Sequence, residues 1–163
     1  MLLELNVKDI ALIRRASVEF SQGLNILTGE TGAGKSIVIG SIGLVLGAKA
    51  KSDIIREGAD HASIELIISA DDPELVSRLS ALSVSPTEEG TIIISRKIGR
   101  QRSVSRINDE TVTLSTLKAV TALLIDIYGQ HEHQTLLEPK RHLEILDAYC
   151  GETTRSLREE VKE

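Results

Sequence analysis

The chain has 163 residues, of which 41% are hydrophobic and 26% charged, a balance typical of a globular protein and not of a disordered one. Aromatic residues make up only 2%, so the core must be aliphatic, and the net charge of −5 excludes a surface that is basic throughout but permits a local basic patch. The single cysteine excludes an internal disulfide. With no signal peptide and no apolar run as long as a membrane span, we expect a cytoplasmic protein with no membrane partner.

The first third of the chain predicts strands, then a glycine-rich loop, then a helix. The predicted strands are residues 2–7, 16–20 and 24–28. The third strand leads into Gly29-Glu30-Thr31-Gly32-Ala33-Gly34-Lys35-Ser36, which fits G-x-x-x-x-G-K-[ST] at every fixed position. Residues 37–46 can form the helix. This order is the context in which the pattern binds nucleotide phosphates.

The chemistry of this motif predicts ATP and Mg²⁺ as cofactors. Its glycines allow tight turning, in part through positive φ, so that backbone N–H groups converge on the phosphates at the positive end of the helix. Lys35 is expected to contact the β- and γ-phosphates and to be catalytic, and the Ser36 hydroxyl to bind Mg²⁺. The predicted nucleotide-binding residues are Gly29, Glu30, Thr31, Gly32, Ala33, Gly34, Lys35, Ser36 and Ile37.

Beyond the motif helix, strands and helices alternate. The predicted strands are residues 61–69, 91–97, 103–107 and 111–113, and residues 99–102 turn the second of them into a hairpin with the third. The predicted helices are residues 71–82, with an Asp cap and a first-turn proline, 114–121, and one that Pro139 opens. The apolar run 122–127 predicts a buried strand.

Asp126 lies near the end of that run and leaves two interpretations open. An apolar strand that ends in Asp matches the Walker B pattern, in which the carboxylate holds Mg²⁺ through water. In that case the chain is a self-contained kinase or NTPase. Alternatively, Asp126 ends an ordinary core strand, and the metal-sensing group follows it. Because Ile127 and not Glu comes next, no adjacent carboxylate is present to polarise the attacking water.

The segment Tyr-Gly-Gln-His-Glu-His-Gln at residues 128–134 is unusual. Together with the phosphate motif and with residues 1–5, 11–13 and 105–108, it resembles the RecN family of bacterial DNA repair proteins, an SMC-like group of ABC-type ATPases. The resemblance covers about residues 1–150. It implies an α/β fold of the ABC/SMC head type, a P-loop NTPase with a mixed sheet and an antiparallel β layer.

In that family the head is built from both ends of a long polypeptide. The resemblance therefore implies that residues 1–150 are the N-terminal half of a head and that residues 151–163 begin a coiled-coil helix. The implied partners are the C-terminal half of the same head, a second head in a homodimer, and DNA. The implied activity is ATP hydrolysis in double-strand break repair and recombination, near the nucleoid. No signature segment, Walker B glutamate or switch histidine is found in the sequence.

The resemblance also implies site residues outside the motif. Gln130 matches the Q-loop glutamine that contacts Mg²⁺ and the attacking water, with Gln134 as the second choice. Arg56 matches an arginine that SMC-type heads place near the nucleotide. Arg14 or Arg15 is a candidate to stack on adenine, whereas Asn25 is expected to serve turn chemistry.

Four basic residues concentrate positive charge on the predicted hairpin: Lys97, Arg100, Arg102 and Arg106. Such a patch suits contacts with DNA phosphates, which weaken steeply with salt. A solvated hairpin without a ligand is the other interpretation. Because no aromatic residue lies among the four, stacking on single-stranded bases is not expected.

Three functions follow from the sequence. The chain is the ATP-binding half of a RecN-like head, or a self-contained NTPase that uses Asp126, or a non-catalytic piece that tethers DNA through its basic hairpin. The first expects weak nucleotide binding and almost no hydrolysis by this half alone.

Overall fold

A six-stranded antiparallel sheet forms the framework of the described chain. The structure, a computed structural model, describes residues 1–28 and 34–125 together with Leu146, Tyr149 and Cys150. The strands are β1 (Leu2–Ile10), β2 (Ile13–Glu19), β3 (His61–Ser69), β4 (Thr91–Gly99), β5 (Ser103–Ile107) and β6 (Glu110–Val112). Their order across the sheet is β2-β1-β3-β4-β5-β6, and every neighbouring pair is antiparallel.

Three α-helices accompany the sheet: α1 (Gly34–Val45), α2 (Pro73–Ser80) and α3 (Leu114–Leu124). A short 3₁₀ helix spans Ser52–Ile54. Helix α1 packs against β3 and also contacts β1 and β4, while α3 contacts α2 and β5. The helices therefore cover one face of the sheet, here called the covered face, and the other is called the open face.

The core lies between the covered face and the helices, because strand side chains alternate between the two faces. On β3 the even positions are buried and the odd ones are only partly so. The buried aliphatic side chains of the two central strands are Ala62, Ile64, Leu66, Ile68, Ile92, Ile94 and Ile98. Val38, Leu44 and Val45 of α1 and Leu117 and Val120 of α3 complete this core. The aliphatic core expected from the composition is confirmed.

Most of the predicted elements are confirmed, including β3 and β5 at the predicted bounds. The predicted Asp cap and first-turn proline of α2 are also confirmed, since the Asp72 side chain accepts a hydrogen bond from the Glu74 N–H at 3.0 Å. The chain divides into two units, Met1–Ile125 and Asp126–Glu163, and nearly all of the described residues belong to the first. The predicted coiled-coil start at residues 151–163 lies outside the described residues and stays a prediction.

The predicted strand at residues 24–28 is wrong. These residues take no regular secondary structure, and Leu24 and Ile26 are 86% and 72% exposed. An apolar run becomes a strand only when a neighbouring strand pairs with its backbone and covers its side chains. Among the described residues no strand does so, and the sheet is therefore antiparallel throughout rather than mixed in this part of the chain.

The predicted strand at residues 122–127 is also wrong over its described part. Helix α3 continues to Leu124, and the Ile125 N–H still donates to the Thr121 carbonyl oxygen at 3.0 Å. Short apolar runs fit a buried strand and a buried helix equally well. Here Leu117, Val120 and Thr121 are buried at helical spacing. Asp126 and Ile127 lie outside the described residues.

Candidate nucleotide-binding site

The end of the phosphate motif lies at the N-terminus of α1, as predicted. Gly34, Lys35 and Ser36 are the first three residues of the helix, where backbone N–H groups lack intrahelical partners and the helix dipole is positive. The first turn contains no acidic residue. The described part of the motif therefore has the charge and the donors that a phosphate site needs.

The glycine of this first turn has ordinary helical geometry. Gly34 does not adopt a positive φ, and the expectation that positive φ contributes at the motif glycines stays a prediction for Gly29 and Gly32. A Cβ added at Gly34 would meet no atom within 4 Å. Lys35 is half-buried, Ser36 is exposed, and Ile37 packs against the core. The remaining motif residues lie outside the described residues: Gly29, Glu30, Thr31, Gly32 and Ala33.

The other end of α1 is held by two buried polar side chains. Arg96 of β4, only 6% exposed, donates from Nη1 to the carbonyl oxygens of Leu44 and Ala48, the latter at 2.6 Å. Thr121 of α3 donates from Oγ1 to the carbonyl oxygen of Leu46 at 3.2 Å. Burial lowers the pKa of Arg96 below its ordinary value, since desolvation disfavours the charged form.

Arg96 was missing from the predicted site residues, although its neighbour Lys97 was among them. The signal that identifies it is the two-residue period of β4, in which Ile92, Ile94 and Ile98 share one face with Arg96. An arginine in an isoleucine series that faces a core must find carbonyl or carboxylate partners.

Arg56 lies after the 3₁₀ helix and beside the turn between β1 and β2. It is half-buried, and its backbone N–H donates to the Asp9 carbonyl oxygen at 3.0 Å. Lys8, Asp9, Arg14 and Arg15 line a shallow groove with it, so this groove contains four basic side chains and one carboxylate. The predicted role of Arg56 at the nucleotide stays a prediction.

Arg15 pairs with Lys8 across β1 and β2, whereas the next pair, Val7 with Ala16, faces the core. Arg15 therefore lies on the open face, and α1 packs on the covered face. The predicted role of Arg14 or Arg15 at adenine stays a prediction. Asn25 serves the turn as predicted, because its side chain accepts from the Ser21 N–H at 3.0 Å and donates to the Ser21 carbonyl oxygen at 2.8 Å.

The four predicted basic residues are all exposed on the hairpin of β4 and β5. Lys97 and Arg106 lie on the open face as diagonal neighbours, because Lys97 pairs with Val104 and Ser95 with Arg106. Arg100 and Arg102 belong to the turn, which the Gly99 N–H closes on the Arg102 carbonyl oxygen at 2.9 Å.

Lys8 and Arg15 extend this positive charge across the open face. The cross-strand pairs Arg15 with Lys8, Lys8 with Ser63, and Ser63 with Lys97 place all four residues in one row. The same residues line a broad groove that also contains Arg106 and the carboxylates of Glu4 and Glu65. The sequence alone did not predict this row, because it depends on the register of four strands.

The remaining predicted residues, Gln130, Gln134 and Asp126, lie outside the described residues. Within residues 1–28 and 34–125 no group of three or more His, Cys, Asp or Glu side chains is arranged to hold a metal ion. No described helix is both long enough and apolar enough to cross a membrane.

A family model described as an AAA domain matches residues 4–163. The chain belongs to this AAA domain family. The chain is also 42% identical over 165 aligned positions to the DNA repair protein RecN of Halalkalibacterium halodurans, an alignment that covers 100% of the chain and 29% of the relative. The chain thus spans less than a third of the length of that relative, and it matches the N-terminal part of the RecN sequence.

Two solved structures share the fold of this AAA domain chain. One, from work on ATP-driven dimerization and DNA-stimulated activation of SMC ATPases, superposes with a TM-score of 0.62 at 21% identity, over 90% of this chain and 97% of that one. The other is an Smc head domain with coiled coil and joint from Pyrococcus yayanosii, with a TM-score of 0.63 at 22% identity, over 75% of this chain and 25% of that one. The predicted ABC/SMC head fold and the resemblance to RecN are confirmed, and the self-contained kinase or NTPase is not favoured.

Proposed function

We propose that this chain is the ATP-binding N-terminal half of the head of a RecN-like, SMC-type ATPase that acts in DNA double-strand break repair and recombination. One observation carries the proposal. The Gly-Lys-Ser end of a complete phosphate motif begins a helix that packs on an antiparallel sheet. The alignment with a RecN protein covers the whole of this chain and 29% of that relative.

The motif and the helix dipole would hold the phosphates of ATP. Lys35 supplies a positive charge for the β- and γ-phosphates, and the Ser36 hydroxyl is a suitable oxygen ligand for Mg²⁺. We assign Gln130 as the second Mg²⁺ contact, because its carboxamide oxygen binds metal and its NH₂ group orients water without adding a charge. Arg56 is proposed to stabilise γ-phosphate charge.

Hydrolysis requires groups that this chain does not supply. The sequence contains no signature segment and no Walker B glutamate. In the proposed assembly, the C-terminal half of the same head and a second head supply these groups, and ATP holds the two heads together because both contact its γ-phosphate. Without the rest of the head, the chain binds Mg-ATP weakly and hydrolyses almost none of it. We place this assembly in the cytoplasm, at the nucleoid.

The basic hairpin is proposed to contact DNA phosphates. Lys97, Arg100, Arg102 and Arg106 are exposed, and Lys8 and Arg15 continue the positive charge across the open face. Six cations near one another on an acidic chain favour a polyanion over an uncharged partner. The absence of interleaved aromatic side chains favours backbone contacts over base stacking.

Two substitutions separate the proposed half-head from the self-contained NTPase. In the ATPase assembled with the remaining part of the head, Gln130→Ala should lower the hydrolysis rate strongly, while Asp126→Asn should be mild. A self-contained NTPase predicts the reverse order. Hydrolysis by the 163-residue chain alone at the rate of a complete ATPase would also contradict the half-head.

A further inference from the structure

Arg96 occupies a place in the fold that core packing does not explain. It shares the covered face of β4 with Ile92, Ile94 and Ile98, which are 0%, 0% and 1% exposed. Transfer of a guanidinium into such surroundings is unfavourable unless it forms strong hydrogen bonds. An aliphatic residue would continue the pattern of the strand. The hydrogen bonds that the arginine forms therefore account for its presence here.

Those contacts go to the last turn of α1 and to the segment that directly follows it. Nη1 of Arg96 donates to the carbonyl oxygens of Leu44 and Ala48, and within the described part of the chain Nε of Arg96 has no hydrogen-bond partner. The carbonyl groups at the C-terminus of a helix carry the negative end of its dipole. The Leu44 carbonyl oxygen also accepts from the Gly47 N–H at 3.2 Å, and the buried cation adds a second, charged donor to it.

Thr121 completes the arrangement from a second element. It is 4% exposed, and its Oγ1, which has a single proton to donate, lies 3.2 Å from the carbonyl oxygens of both Leu46 and Lys118. Carbonyl oxygens of residues 44, 46 and 48 are therefore bound by side chains from β4 and α3. These bonds, here called the C-terminal clamp, connect the last turn of α1 and the three residues after it to both the sheet and the helical layer.

We infer that the C-terminal clamp positions α1, and through it Lys35 and Ser36, for nucleotide binding. This inference rests on the proposed nucleotide site at the N-terminus of α1. The helix has 12 residues, so its two ends are about 17 Å apart, and a packed helix transmits a shift at one end to the other. Arg96 and Thr121 are thus positioning residues that do not touch the nucleotide.

The test compares two clamp variants with two matched controls in the 163-residue chain. Arg96→Met removes the cation and its bonds to Leu44 and Ala48, and Thr121→Val removes only the hydroxyl at nearly constant volume. Ile98→Val lowers the stability of the same face of β4 without touching the clamp. Thr121→Ser keeps the hydroxyl and should behave as the parent chain.

The first measurement is Mg-ATP affinity by titration calorimetry. We expect Arg96→Met to weaken binding about tenfold and Thr121→Val about threefold, on the scale of one or two lost hydrogen bonds. Ile98→Val and Thr121→Ser should stay within about twofold of the parent chain. Parent-like affinity in both clamp variants, or equal weakening in Ile98→Val at a similar melting temperature, would overturn the inference.

The second measurement is amide hydrogen exchange, which needs no nucleotide and so separates this inference from the proposed function. If the parent chain fails to bind Mg-ATP, the proposed function is wrong, but hydrogen exchange in the absence of nucleotide still tests whether the clamp holds α1. The clamp predicts faster exchange at both ends of α1 in Arg96→Met and Thr121→Val, with β3 amides unchanged. Equal acceleration in α1 and β3 would show a general loss of stability and contradict a positioning role. If Arg96→Met does not fold, Thr121→Val decides.

Discussion

Arg96 and Lys97 are neighbours in the sequence but lie on opposite faces of the same sheet. Arg96 is buried on the covered face, where it binds the end of α1, and Lys97 is exposed on the open face beside Arg106. Two similar side chains therefore serve different purposes because a strand alternates its residues. The covered face holds the helix that begins with the end of the phosphate motif, and the open face carries the row of cations that we propose to contact a polyanion.

The strongest contrast between the two faces should appear in core substitutions on β3. Leu66 is completely buried on the covered face, whereas its neighbour Ile67 is only partly buried on the open face. Leu66→Ala should lower the free energy of unfolding by about 2–5 kcal/mol, because it leaves a cavity. Ile67→Ala should lower it by less than about 1.5 kcal/mol. Urea denaturation of both variants measures the two losses.

The matched pair also tests the assignment of the faces. If Ile67→Ala were as destabilising as Leu66→Ala, the open face would be covered in solution, and its proposed availability to DNA would be wrong.

Charge reversal on the open face should weaken DNA binding next most strongly. The double variant Lys97→Glu with Arg106→Glu should lower affinity for duplex DNA at least about tenfold and reduce the slope of log K against log salt by about 2. Fluorescence anisotropy over a salt series of the protein assembled with the rest of its head measures both.

Lys118 supplies the control for that experiment. It is exposed on α3, in the helical layer, so Lys118→Glu makes on the covered side the same change of charge as one of the two substitutions in the double variant. An equal loss of affinity in Lys118→Glu would point to net charge and not to the open face.

A smaller effect is expected at the start of α3. The Thr113 side chain accepts a hydrogen bond from the Thr116 N–H at 3.1 Å and so caps the helix. Thr113→Ala should lower the free energy of unfolding by about 1 kcal/mol, and Thr113→Ser should restore most of it. Thermal denaturation followed by circular dichroism checks both, and a Thr113→Ala variant as stable as the parent would show that the cap contributes nothing.

The smallest effect should come from Lys97 itself. Its side chain is exposed, and the described residues provide no ion pair for it, so Lys97→Met should change the free energy of unfolding by less than about 0.5 kcal/mol. A larger loss in urea denaturation would place Lys97 in the packing of the sheet, which contradicts the division into faces.

Local patterns were sufficient for the elements that carry their own signals. The alternation of residues 61–69 and the cap and proline of α2 predicted those elements, and the same holds for the helix after the phosphate motif. Register and partners were not predictable, because they depend on residues far along the chain. Hence residues 24–28 were assigned to a strand that no described strand pairs with, and residues 122–124 to a strand instead of to the end of α3.

The candidate site shows the same division. The motif identified Lys35 and Ser36 because the phosphate-binding pattern is local. The clamp residues were not predicted, since Arg96 gains its meaning only when β4 is placed over the end of α1. The row through Lys8, Arg15 and Lys97 likewise requires the pairing of four strands.

The most direct test measures Mg-ATP binding and hydrolysis on the same sample of the 163-residue chain, with Lys35→Ala as the control. The half-head predicts weak binding that Lys35→Ala abolishes, with no turnover above that of Lys35→Ala. Steady hydrolysis by the chain alone, or binding that Lys35→Ala leaves unchanged, would contradict the account.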